Sequence, residues 1–75
     1  MKVWKWVAMK DEWKRQFDSY EEAKEYLYAR GQVWYFGREQ DYYVLNFEAH
    51  NGQRFNVEMH MDGLLVVRRA KGWHL

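Results

Sequence analysis

Glu58 and His60 stand two residues apart, so on an extended strand they project from the same face as a carboxylate beside an imidazole. Such a pair can move a proton, yet nothing here can use it for covalent chemistry. The chain has no cysteine and no threonine, and its only serine, Ser19, sits where a helix should be capped. A metal centre needs three or four converging ligands, whereas His50, His60 and His74 fall at a turn, within a strand and near the C-terminus, with no recognised spacing. The five glycines are dispersed singly and build no phosphate-binding loop. These observations predict no catalytic site, no metal and no cofactor, so the protein is expected not to be an enzyme.

What remains for Glu58 and His60 is recognition, and their neighbours depend on how the strands around them pair. Residues 42 to 69 read as three alternating segments joined by His50-Asn51-Gly52 and Met61-Asp62-Gly63. A two-residue Asn51-Gly52 turn would set Phe47 opposite Asn56 and Leu45 opposite Glu58, mixing apolar with polar on both faces. A three-residue loop with Gly52 left-handed in a bulge pairs Phe47 with Phe55, Leu45 with Val57 and Tyr43 with Met59. Because a slip of one residue turns a whole strand over, the second register should win. The same argument at Met61-Asp62-Gly63 pairs Met59 with Leu65 and Val57 with Val67. One face then holds Tyr43, Leu45, Phe47, Phe55, Val57, Met59, Leu65 and Val67 as a core. The other gathers Tyr42, Asn46, Asn56, Glu58, His60 and Arg68 into a shallow polar patch suited to a macromolecular partner. An ordinary solvent face of cross-strand charge and amide pairs is the plainer alternative.

The remaining elements follow from period and capping. Lys2 to Met9 alternates as a strand, a turn near Lys10-Asp11-Glu12 leads to a short strand from Trp13 to Phe17, and Gln32 to Phe36 forms another before a turn at Gly37 to Gln40. Between them Asp18 and Ser19 are good N-caps, each with a glutamate three residues on. Tyr20, Ala23, Tyr26, Leu27 and Arg30 lie at helical spacing, and Gly31 is placed to end the helix in the left-handed conformation. The expected fold is α+β, one helix packed on an antiparallel sheet of five to six strands in the chain order β-β-α-β-β-β-β. Residues 1–75 should form a single domain, near the size at which one core barely suffices. With no disulfide to help, an aromatic content of 20% must supply much of the packing.

A net charge of +1 argues against whole-molecule attraction to nucleic acid or an anionic membrane. No apolar stretch is long enough to span a bilayer and no signal peptide is recognisable, so a cytoplasmic protein is expected. The charge is nevertheless segregated: residues 18–25 carry four acids against Lys24 alone, while both ends are basic. Lys2, Lys5, Lys14, Arg15, Arg69, Lys71 and Trp73 interleave bases with rings, as single-strand nucleic-acid binders do. That is the second choice. The first is a protein-binding module, because Tyr28, Trp34, Tyr42 and Trp73 exceed what one helix on one sheet needs, and Trp, Tyr and Arg dominate interface hot spots. A homodimer through an open sheet edge is one form of it. The junction Phe17-Asp18-Ser19-Tyr20-Glu21-Glu22-Ala23, with Tyr26-Leu27, resembles a strand-to-helix entry met in many small bacterial and bacteriophage proteins. The resemblance names no family; it implies a microbial or phage accessory protein, an inhibitor that binds and blocks a larger protein of unknown identity.

Overall fold

The computed structural model describes residues 6–9 and 11–70. Strands β1 (Val7–Met9) and β2 (Glu12–Gln16), helix α1 (Tyr20–Tyr28), and strands β3 (Gly31–Arg38), β4 (Tyr42–Ala49), β5 (Arg54–His60) and β6 (Leu64–Arg69) follow one another along the chain. They form one antiparallel sheet in the order β1-β2-β6-β5-β4-β3, with α1 against one face. The α+β architecture is the expected one, with six strands. After α1 the chain enters at the far edge and meanders back until β6 lies beside β2.

Both loops take the bulged three-residue form. Ala49 N–H donates to Gln53 O and Gly52 N–H to Ala49 O, with Gly52 at φ +89°. Gly63, at φ +97°, donates to His60 O. The register is therefore Phe47 with Phe55, Leu45 with Val57, Met59 with Leu65 and Val57 with Val67. Leu45, Met59 and Leu65 are sealed completely, and Phe47, Val57 and Val67 join Phe17, Ala23 and Leu27 around them. Tyr43 and Phe55 are half-buried at the margin of this core.

Helix α1 begins as its caps foretell. Ser19 is the N-cap, its Oγ accepting from Glu22 N–H at 3.2 Å, and Ala23 and Leu27 form the buried stripe. Its end differs from expectation. The C-cap is Ala29 in the right-handed region, Arg30 lies beyond the helix, and Gly31 is not left-handed but starts β3. Leu27 O accepts from Arg30 N–H, so a tightened last turn closes the helix without a left-handed residue. Gly37 also differs: it lies within β3, paired with Val44, because a bulge at Phe36 lets the strand run on to Arg38. Asp11, at φ +56°, makes the turn between Met9 and Glu12. The first half of the expected N-terminal strand, together with Lys10, lies outside the described residues.

Candidate functional site

The face of the sheet opposite α1 carries every residue of the predicted patch, because alternation along β4, β5 and β6 fixes which side chains share it. Tyr42 pairs with His60, Val44 with Glu58, Asn46 with Asn56 and Glu48 with Arg54, while Arg68 pairs with Asn56. Within this frame the charged groups hold one another. Arg68 Nη1 donates to Glu58 Oε2 at 2.7 Å and Arg68 Nε to Glu12 Oε2 at 2.8 Å. His60 Nε2 donates to Glu58 Oε1 at 3.1 Å, and the His60 ring stacks on Tyr42 with centroids 4.5 Å apart. Lys14 Nζ lies 3.8 Å from the same Glu12 carboxylate. A chain of contacts thus runs from β2 across β6 and β5 to β4.

The patch is also more enclosed than an open face should be. Asn46 and Val66 are only 3% exposed, and Asn56, Glu58, His60 and Tyr42 are half-buried. Asn56 Oδ1 is buried with no hydrogen bond among the described residues. An acceptor buried in that way costs free energy of order 1–3 kcal/mol unless a partner supplies a donor. Trp34, opposite Asn46 on β3, extends the patch toward the sheet edge with 42% of its surface exposed.

Burial pushes the Glu58 carboxyl up, but the hydrogen bonds from Arg68 and His60 outweigh it and hold the group below the ordinary carboxylate range. The same pairs, from Glu58 and Glu12, raise the already high value of Arg68. A carboxylate that stays ionised is poorly matched to proton transfer near neutral pH and well matched to anchoring an arginine. The consequence for stability has a definite sign. A group depressed in the folded state stabilises fully above its ordinary value, near 4.5, and the contribution is lost as pH falls through the folded value. Glu58→Gln is therefore expected to destabilise at about pH 7 and to do so less at about pH 3, below the ordinary value, where part of that contribution is already gone. Urea unfolding at the two pH values measures this; an equal penalty at both would remove the Glu58 linkage.

Of the seven alternative nucleic-acid residues, the three that are described do not all share one face. Lys2, Lys5, Lys71 and Trp73 lie outside the described residues. Lys14 and Arg15 project from opposite faces of β2, the former paired with Val66 and the latter with Leu65. Arg15 lies among the rings on the helix side, its guanidinium carbon 4.7 Å from the Phe17 centroid and 5.1 Å from that of Tyr26. Arg69, also on the helix side, lies over Trp13 and 3.4 Å from Asp11.

Two features escaped the sequence reading. Glu12 joins the network only because β2 pairs with β6, a contact between segments 56 residues apart that no local pattern announces. An apolar groove of about 440 Å³ opens beside the C-terminal half of α1, with Trp6, Trp13, Tyr26 and Phe55 in its walls and Arg30 and Arg69 at its rim. Among the described residues no group of three or more histidine, aspartate or glutamate side chains converges as a metal ion would require, and no helix is long and apolar enough to cross a membrane. Comparison with known proteins finds no matching family model, no matching curated protein and no matching solved structure.

Proposed function

We propose that the chain is a non-enzymatic protein-binding module that engages a larger protein through the uncovered face of its sheet. The observation that supports this reading most is the prearranged state of that face. Arg68 is fixed by two carboxylates, Tyr42 is stacked on His60, and the Asn56 acceptor is buried without a hydrogen bond among the described residues. Arginine and tyrosine held in place before binding lose less conformational freedom on association than mobile ones. The partner chemistry that fits is a protein surface offering an apolar flank to Tyr42 and Trp34 and acceptors to the exposed side of Arg68. In a cell this would be the work of an accessory protein or inhibitor, acting by occupying its target.

Affinity capture with the wild type and with a double variant, Arg68→Glu and Tyr42→Ala, tests the reading. The partner recovered by the wild type should be lost by the variant, with both proteins folded by circular dichroism. An unchanged set of partners would remove this face from consideration. Binding of a mixed-sequence single strand that is tight at low salt and weakens steeply as salt rises would instead favour the basic aromatic ends.

A further inference from the structure

The two edges of the sheet are unlike. Among the described residues β1 contributes three residues to one edge, whereas β3 lines the other with eight, from Gly31 to Arg38. Sheets guard such edges with charge, proline or bulges; residues 31–37, Gly-Gln-Val-Trp-Tyr-Phe-Gly, carry no charge and no proline, and the bulge at Phe36 leaves 31–35 in regular register. Three consecutive rings are exposed there instead, Trp34 by 42%, Tyr35 by 43% and Phe36 by 45%.

We infer that β3 is a self-association edge, on which a second copy of this chain adds its own β3 antiparallel about a two-fold axis at Trp34. The occupant follows from the run itself. Residue 34 is the midpoint of the uncharged stretch, so this register lays the stretch on its own copy without opposing like charges within it. Val33 then faces the partner's Tyr35 on the helix side, reciprocally, and Trp34 meets the partner's Trp34 on the uncovered face. Aromatic and β-branched pairs of this kind stabilise antiparallel strands. Tyr35 is already positioned: its hydroxyl is 2.9 Å from that of Tyr28 and its ring packs edge-on to Tyr43 at 5.5 Å.

Two further observations fit this register. A recess of about 400 Å³, lined by Tyr28, Gly31, Gln32, Val33 and Trp34, lies along the same edge. The partner's Phe36, the bulged residue, would fall near Gln32, beside that recess. The flanking arginines are folded back on rings of their own chain, Arg30 over Tyr26 at 3.6 Å and Arg38 over Tyr43 at 5.3 Å. At a little over two-fifths exposure, three rings offer roughly 200–300 Å² per copy. With the ladder added this stays below the roughly 800 Å² per partner of a standard interface, so a weak, reversible dimer is expected.

The edge shares Trp34 with the proposed partner face but not Tyr42 or Arg68, and the two proposals fail separately: a chain that stays monomeric can still lose its captured partner on Arg68→Glu. Sedimentation velocity over a hundredfold range of concentration should show the wild type passing from monomer to dimer. Trp34→Lys, at an exposed position, should weaken the dimer at least tenfold with an unchanged circular dichroism spectrum. A monomer throughout that range overturns the inference. Register is read separately from single cysteines, which the chain otherwise lacks. Trp34→Cys lies on the axis, where directly opposed residues are close enough for a disulfide, and should crosslink under mild oxidation. Gln32→Cys, on the same face but off the axis, should not. Crosslinking at 32 as fast as at 34 would overturn the register.

Discussion

Gly63→Ala is expected to cost about 3 kcal/mol or more of folding stability, against about 1–2 kcal/mol for Gly52→Ala, although the two glycines close loops of the same design. Each is left-handed, at φ +97° and φ +89°, so each alanine meets the steric penalty of that region. The surroundings separate them. At Gly52 a Cβ would have nothing within 4 Å, whereas at Gly63 it would lie 2.5 Å from Phe17 O and 3.0 Å from Ser19 O. Those are main-chain atoms at the passage from β2 into α1, held there because Phe17 N–H donates to Gly63 O and Gln16 Nε2 to Asp62 O. They cannot swing aside as a side chain would. Relief requires that the loop and the helix entry part, loosening Phe17 from the core and the Ser19 cap from its position. For a domain of this size the melting temperature of Gly63→Ala should fall by roughly 12 °C or more. Chemical unfolding of the two variants side by side checks the contrast; equal penalties would mean that backbone conformation alone sets the cost.

That contrast marks where sequence reading succeeds and where it stops. The register of β4, β5 and β6 was legible because a single slip would have turned Phe47, Val57 and Met59 out of the core, a conflict visible in the letters alone. The polar patch came with it, since Asn46, Asn56, Glu58, His60 and Arg68 are simply the other half of the alternation. Ser19 was legible because capping is local. What stayed hidden depends on contacts distant in sequence. Glu12 could not be joined to Arg68 until β2 was known to lie beside β6, and the docking of the Gly63 loop on Phe17 has the same origin. The burial of Val66 on the supposedly wet face goes with its place between Lys14 on β2 and Glu58 on β5. Lys14 and Arg15 were grouped by charge although adjacent strand residues must point apart. Alternation puts Trp13, Arg15 and Phe17 on one side of the short second strand, and that side is the ring cluster Arg15 occupies.

Gly31 carries the second large prediction, because the sequence picked out the position for a reason the structure replaces. A glycine just after a helix reads as a left-handed cap, and that reading makes asparagine an acceptable substitute. In the folded chain Gly31 is the first residue of β3, paired with Ala49, and it is not left-handed. A Cβ there would run into the carbonyl oxygen of Glu48 and come within 2.9 Å of the Ala49 Cα, both in the backbone of β4. Only a residue without a side chain lets the two strands meet at this point. The approach is fixed from both sides, by the β3–β4 ladder and by His50 N–H donating to Arg30 O at 3.0 Å. Gly31→Ala should therefore cost about 2–4 kcal/mol, as forced backbone displacement does in a packed structure. Gly31→Asn should be no better and, being larger, worse. The pair of variants decides between the two roles in one set of denaturant curves: stability regained by asparagine would restore the left-handed cap. If both variants fail alike, the helix end is set by its tightened last turn and Gly31 serves the sheet.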